Sequence, residues 1–235
     1  MALSIGVLII GSLYWEPERA AWRDSRLDMT ATYDVEAPIR YGRLSIGRDN
    51  TYTMVFSRSC PPGHAKVVRC RREVETGNDL IGEAEHLWTA ERNRKPNGRV
   101  AANWGCVALL WNPASRIPET VLNGWAIRVS ADKDYGSVPQ LASEGILVSD
   151  EGLLNIPWPV ISGSDRNVPM DLLLATATHP NLGGEPKSYP HPAQIAAAWR
   201  SGEAVRNNRV AYFLNNVANG ITTFEDDEIS RLLRD

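Results

Sequence analysis

Short apolar runs separated by polar turns fill the first two thirds of the chain. The run from Ile5 to Ile10 contains no polar side chain, and it stops at Gly11 and Ser12. A short, β-branched run of this kind predicts a central strand that is buried on both faces. The glycine predicts a turn whose freed backbone N–H groups can form an anion-binding nest. A tight turn that binds no ligand is the alternative.

Further strands are predicted where apolar and polar side chains alternate or where a short apolar run is bounded by turn residues. A segment that becomes basic toward its end suits the edge of a sheet. The predicted strands are a hairpin made of 35–45 and 51–57, an edge strand over 64–74, a buried strand over 104–111, a hairpin within 145–159 that turns at 150–152, and a strand over 170–178.

Residues 79–93 have the apolar spacing of a helix, and Asn78 and Asp79 can cap its start. At about 100° per residue, Glu91 falls in the middle of the apolar face, whereas Glu83 and Glu85 lie about a quarter-turn to either side. The apolar face consists of Leu80, Ile81, Ala84, Leu87 and Trp88.

A carboxylate on an apolar face loses hydration, which raises its pKa toward the value useful for a general base. This makes Glu91 a candidate catalytic residue. The alternative is a helix that ends one turn earlier, so that Glu91 marks its solvated end.

Helical spacing continues in the rest of the chain. A second helix is predicted over 117–130, with Pro118 at its first position. A Gly- and Pro-rich loop follows His179, and the last segment predicts helices around 192–201, 203–219 and 224–234. The resulting fold class is α+β, with a mixed sheet domain over 1–178 and a helical extension over 179–235 that packs on it.

Composition and charge narrow the function classes. The 235 residues are 43% hydrophobic with a net charge of -3, so the chain lacks the basic field of a nucleic-acid-binding protein. The apolar runs are shorter than the roughly 20 residues that span a bilayer, and a cytoplasmic protein without membrane contact is expected. Three cysteines without Cys-x-x-Cys and four histidines without ligand spacing predict neither a metal site nor a cofactor.

Two stretches of the sequence resemble the gamma-glutamylcyclotransferase-like family. That family typically has Tyr-Gly-Ser followed by Asn or Leu after its first strand, and Gly11, Ser12 and Leu13 match the end of this pattern. Its Leu-Asp-x-x-Glu-Gly segment bears the catalytic glutamate and is similar to the stretch from Leu87 to Glu91. The chain departs from the family at three positions, where Ile10 replaces Tyr, Trp88 replaces Asp and Arg92 replaces Gly.

The resemblance implies a partly closed, barrel-like mixed sheet with flanking helices, and a defined chemistry. Backbone donors of residues 10–13 would hold the α-carboxylate of a γ-glutamyl group. Ile10 would supply its backbone as the family's tyrosine does, but no phenolic hydroxyl. Glu91 would take a proton from the α-amine, which attacks the γ-carbonyl to close 5-oxoproline, and would then protonate the departing amine. Arg40 and Arg43 are further candidates for a substrate carboxylate because a guanidinium binds it bidentately, with solvated strand arginines as the alternative.

Three function hypotheses therefore stand at the level of sequence. The first is a cyclotransferase-like enzyme that acts on a γ-glutamyl compound or a similar small amide. The second is a small-molecule-binding module that keeps the pocket without the chemistry, and the third is a protein-interaction domain that uses its C-terminal helices. The enzymatic hypothesis requires that Glu91 and the amides of Gly11 and Ser12 reach one pocket.

Overall fold

The computed structural model describes residues 2–132, 134–135, 145–183 and 187–235. The chain is α+β and forms one mixed seven-stranded sheet and one separate two-stranded hairpin. The strands are β1 (Ile5–Ile9), β2 (Leu27–Ala37), β3 (Ile39–Ser45), β4 (Thr51–Phe56), β5 (Gly63–Cys70), β6 (Ala101–Ala102), β7 (Gly105–Trp111), β8 (Val160–Ile161) and β9 (Leu172–Thr178). The helices are α1 (Ala20–Arg26), α2 (Gly77–Arg92), α3 (Glu119–Ala131), α4 (Pro192–Trp199), α5 (Gly202–Arg206), α6 (Val210–Ala218) and α7 (Asp226–Arg234).

Strand β1 lies at the centre of the sheet, whose order is β6-β7-β9-β1-β5-β2-β8. It runs parallel to β9 and antiparallel to β5, and every residue of it is buried. The prediction of a central strand is therefore confirmed. The predicted partial barrel is not seen among the described residues, because β6 and β8 leave the sheet open at two edges and β3 pairs only with β4.

Strand β5 corrects one of the predictions. The basic segment 64–74 was expected at an edge, yet β5 lies between β1 and β2. Lys66 is buried there, and its ammonium group pairs with the carboxylate of Asp34, which is its register partner on β2. An interior strand accommodates the lysine because its charge is matched across the ladder. The basic end that suggested an edge, Arg71 and Arg72, lies beyond β5, which ends at Cys70, and both arginines are exposed.

Strand β2 was missed and the predicted hairpin was divided differently. Residues 35–37 belong to β2, and Pro38 separates them from β3 because proline cannot donate a ladder hydrogen bond. The pairing of β3 with β4 confirms the second part of the hairpin. The expected hairpin is present in short form: Val148 and Leu154 form an antiparallel bridge, and the Gly152 N–H donates to the Ser149 carbonyl across the turn at 2.9 Å.

Helix α2 contains Glu91 within its last turn. The helix begins at Gly77, and its cap is Thr76, which exchanges hydrogen bonds with Asp79 in a capping box, whereas Asn78 and Asp79 were predicted to cap. Asn93 ends the helix in the left-handed conformation, at φ 48°. Since the helix runs to Arg92, the alternative in which it ends one turn before Glu91 is wrong.

The sheet separates two hydrophobic clusters. Alternate residues of β1 serve both, since Ile5, Val7 and Ile9 pack with α2 and α3 while Leu8 packs on the opposite side. That opposite side is covered by the β3–β4 hairpin and by the C-terminal helices. In this layer Tyr41 meets Trp199 edge to face, with ring centroids 5.0 Å apart. The cluster on this side places the C-terminal segment in the same core as the hairpin.

The C-terminal segment differs in detail from its prediction. The helix expected over 203–219 is two helices, α5 and α6, with Asn208 between them at φ 51°. Gly220 follows α6 at φ 66°, as expected for a helix stop. Pro118 precedes α3 as its N-cap instead of occupying the first helical position. No described helix is long and apolar enough to cross a membrane.

Candidate functional site

A cavity of about 450 Å³ opens where β1 ends, between the β3–β4 hairpin and the last turn of α2. The carboxyl-terminal end of β9 and one residue of α6, Tyr212, complete its wall. Six of the seven residues predicted for the site line this cavity, namely Ile10, Gly11, Ser12, Leu13, Arg43 and Glu91. The structure thus brings together side chains that lie up to 81 positions apart in the sequence.

The turn after β1 directs its carbonyl groups into local hydrogen bonds. The carbonyl of Gly11 accepts from the N–H of Tyr14 at 3.1 Å, and that of Ser12 accepts from the N–H of Glu16 at 2.8 Å. The N–H groups of Gly11, Ser12 and Leu13 donate no hydrogen bond to any described residue. The three residues line the cavity, which makes their unbonded N–H groups candidate donors to an anionic group of a ligand.

Glu91 contributes a carboxylate to the cavity. Its Oε2 accepts a hydrogen bond of 3.2 Å from the hydroxyl of Thr176 on β9. Burial raises the pKa of Glu91 above its usual value, while the guanidinium groups of Arg43, Arg19 and Arg48 and the Thr176 hydroxyl oppose this change. A carboxylate with a raised pKa is better matched to proton transfer near neutral pH.

Arg43 lies close enough to Glu91 for the charge of each to shift the pKa of the other. Burial lowers the pKa of Arg43, and the Glu91 carboxylate partly reverses this effect. Its guanidinium carbon lies 4.5 Å from the ring centroid of Trp104, and Trp104 in turn stacks on Trp88 at 4.7 Å. No carboxylate of the described residues lies within ion-pair distance of Arg43. Its hydrogen-bond donors are therefore free for a ligand.

Among the cavity residues that the sequence did not reveal, Glu16, Arg19 and Arg48 hold the turn after β1. Arg48 donates from Nη2 to Ser12 Oγ at 3.0 Å and to Glu16 Oε1 at 2.8 Å. Arg19 approaches the other Glu16 oxygen at 3.5 Å, while its Nε and Nη1 are buried without an acceptor in the described parts of the chain. These contacts fix the turn in place. Sequence reasoning had no signal for them because the 3-10 turns that carry Arg19 and Arg48 show no periodic pattern.

The structure does not bring Arg40 to the cavity, which corrects that prediction. Its Nη2 donates to Glu225 Oε1 at 2.7 Å, and its guanidinium lies over the rings of Tyr189 and Phe224 at 4.4 and 5.3 Å. Glu225 precedes α7, so the ion pair draws Arg40 toward the C-terminal helices. A residue already paired in this way is not available to a substrate carboxylate.

Two other carboxylates of α2 pair with arginines outside the cavity. Glu83 pairs with Arg26, and Glu85 lies 3.6 Å from Arg128. Neither lines the cavity. Within the described ranges, no group of three or more His, Cys, Asp or Glu side chains could hold a metal ion.

Comparison of the chain with models of protein families, with curated proteins and with solved structures found no match. The assignment of a function therefore depends on the geometry and chemistry of the cavity.

Proposed function

We propose that this protein is a cyclotransferase-like enzyme that acts on a γ-glutamyl compound or a similar small amide, with Glu91 as the general acid and base. The observation that carries the proposal is the meeting of the partly buried Glu91 carboxylate with the turn after β1 in one cavity. Such a cavity can hold a carboxylate on backbone donors while a second group of the same ligand reaches the Glu91 side chain.

The proposed reaction needs one proton carrier. The turn of Gly11, Ser12 and Leu13 binds the substrate α-carboxylate through its free N–H groups. Glu91 accepts a proton from the α-ammonium group, and the freed amine attacks the γ-carbonyl carbon to form a C–N bond. When the tetrahedral intermediate collapses, the bond to the original amide nitrogen breaks and that nitrogen takes the proton from Glu91. The attacking nitrogen loses a second proton, which passes to the departing amine and makes it an ammonium ion. The products are 5-oxoproline and a free amine, with no water consumed.

The surroundings of Glu91 suit both halves of this reaction. Burial favours the protonated carboxyl that must form, whereas Arg43 and the Thr176 hydroxyl favour the carboxylate that must accept the proton. Binding in the cavity also holds the amine near the carbonyl of the same molecule. The entropy that a flexible chain loses on cyclising is then lost on binding, which lowers the barrier to the reaction itself. The rate enhancement is thus assigned to positioning together with proton transfer.

The test is the release of 5-oxoproline from γ-glutamyl dipeptides by the intact chain and by Glu91→Gln. Glutamine keeps the shape of the side chain but cannot accept the proton, so turnover should fall by about 10² to 10⁴-fold. Glu85→Gln is the matched control, since Glu85 is on the same helix outside the cavity and should retain turnover within about twofold of the parent. Equal turnover of Glu91→Gln and the parent chain would show that Glu91 is not the base.

The second candidate function is binding without catalysis. The observation that favours it is Trp88, which occupies the position of an aspartate in the family that the sequence resembles and stacks on Trp104 instead. This stack supports the guanidinium of Arg43 and could hold a ligand without helping the chemistry. Saturable binding of γ-glutamyl compounds by a chain that never releases 5-oxoproline would favour this candidate.

A further inference from the structure

The cavity has more positive than negative side chains. Five arginines line it, at 19, 43, 48, 92 and 209, against the two glutamates Glu16 and Glu91. Arg209 is neutralised by Asp49, and Glu16 contacts both Arg19 and Arg48. Even after these pairs are counted, the cavity keeps an excess of guanidinium charge.

Arg43 and Arg92 carry much of this excess. In the described parts of the chain, neither has a carboxylate within ion-pair distance. Arg92 follows Glu91 directly, and together with Trp104 it lines a second cavity of about 200 Å³ as well as the first. Trp104 also lies beneath the Arg43 guanidinium. The two unpaired cations thus belong to the side of the site where the two cavities adjoin.

Arg19 adds an independent sign of an absent anion. Its Nε and Nη1 are buried and have no acceptor among the described residues. A buried guanidinium with unmet donors costs free energy unless a ligand supplies the acceptors. Arginine is also the side chain best suited to holding carboxylates and phosphates, because its planar donors match their oxygens in pairs.

The charge excess bears on the substrate if the function proposed above is correct, on which this inference rests. A γ-glutamyl group carries one ammonium and one carboxylate, so it is neutral overall and cannot offset unpaired arginines. The compensating charge must come from the half that leaves as the amine. With the turn after β1 assigned to the γ-glutamyl carboxylate, Arg43, Arg92 and the second cavity remain for the leaving half.

We propose that the leaving amine is itself an acidic molecule with two negative charges, as in a dicarboxylic amino acid, and that Arg43 and Arg92 select it. γ-Glutamylglutamate is one ligand of this class. γ-Glutamylglutamine has nearly the same size and shape but lacks the second charge in the leaving half. The two compounds therefore differ in the one property that the arginines are expected to detect.

The experiment measures the Kd of both dipeptides by titration calorimetry with Glu91→Gln, in which turnover does not interfere. γ-Glutamylglutamate should bind at least about tenfold more tightly than γ-glutamylglutamine, which is the scale of one charge-assisted contact, and added salt should reduce the ratio. Introducing Arg43→Gln or Arg92→Gln should lower the ratio toward one while γ-glutamylglutamine still binds. Arg72→Gln, which removes an exposed arginine remote from the cavity lining, should leave the ratio unchanged.

The ligand pair keeps the inference testable even if an arginine variant fails to fold, because the first comparison needs no change at either arginine. Equal Kd values for the two dipeptides would overturn the inference, and so would a preference that survives both Arg43→Gln and Arg92→Gln. A chain that shows the preference but forms no 5-oxoproline would contradict the proposed function and support the acidic subsite. A chain that forms 5-oxoproline equally well from both dipeptides would support the proposed function and contradict the acidic subsite.

Discussion

Strand β3 carries two arginines whose surroundings show how a paired charge differs from an open one. Arg40 and Arg43 lie three residues apart, and each is near one glutamate and at least one aromatic ring. Arg40 is bonded directly to Glu225 at 2.7 Å, whereas Arg43 affects Glu91 through the cavity without an ion pair. The charge of Arg40 is already balanced by Glu225, whereas Arg43 keeps hydrogen-bond donors for a ligand.

Burial acts in the same direction on both glutamates. It raises the pKa of Glu225, opposed mainly by Arg40, and it raises the pKa of Glu91, opposed mainly by Arg43. A shifted pKa therefore does not separate the structural glutamate from the candidate base. Access to a cavity and the free donors around it do separate them, because chemistry needs room for a substrate beside the carboxylate.

The largest effect expected from this comparison is on stability. Arg40→Met should lower the free energy of unfolding by about 3 kcal/mol, since removing one partner of a buried pair leaves Glu225 uncompensated. Arg43→Met should cost less than about 1 kcal/mol because it breaks no ion pair. Urea titration of both variants checks this. Similar losses in the two variants would remove the distinction between the paired and the open arginine.

A smaller effect is expected at the turn. A methyl group at Gly11 would lie 2.8 Å from the hydroxyl oxygen of Tyr212, so Gly11→Ala must displace that ring in the cavity wall. Overpacking of this kind costs about 1 kcal/mol, and we expect a several-fold rise in KM for a γ-glutamyl dipeptide. Adding Tyr212→Phe removes the clashing oxygen and should restore part of the loss. If Gly11→Ala leaves KM unchanged, the turn does not contact the ligand.

The pH dependence of stability offers the finest comparison. Because burial raises the pKa of Glu91, the folded chain holds this proton more tightly than the unfolded chain, whose glutamates titrate at about 4.3. Stability contributed by this group is present below the unfolded pKa and is lost as the pH rises through the folded pKa. Glu91→Gln should therefore be more stable than the parent chain at pH 7, with a difference that shrinks toward pH 4.

Thermal melts of the two chains between pH 4 and pH 8 measure this difference. A constant difference between Glu91→Gln and the parent chain would mean that Glu91 does not titrate abnormally. Glutamine at 91 would then act only through its shape. The base assigned to the cavity would lose its electrostatic support.

The sequence predicts the elements whose signal is local. The continuous apolar run of β1 predicts its central position, and the spacing of α2 places Glu91 on the buried face. Strand β2 was missed because its side chains are mixed in burial and its pairing with β5 shifts register between Asp28 and Thr32. A pattern of period two does not survive such an irregularity.

The sequence predicts the site residues that belong to a local pattern. The prediction fails for residues whose role depends on partners distant in the sequence. The sequence does not distinguish Arg40 from Arg43. Only the fold shows that Arg40 forms an ion pair with Glu225, which lies 185 residues further along the chain. Arg19 and Arg48 reach the turn from short 3-10 segments that carry no functional motif. The unneutralised charge of the cavity appears only when these residues are seen together.

The most direct test of the central claim is a crystal structure of Glu91→Gln with γ-glutamylglutamate. We expect the α-carboxylate to accept hydrogen bonds from the N–H groups of Gly11 to Leu13, and the α-amine to lie within hydrogen-bond distance of residue 91. The acidic leaving half should lie against Arg43 and Arg92. A γ-glutamyl group bound outside this cavity, or with its amine turned away from residue 91, would show that Glu91 does not act as the base of this reaction.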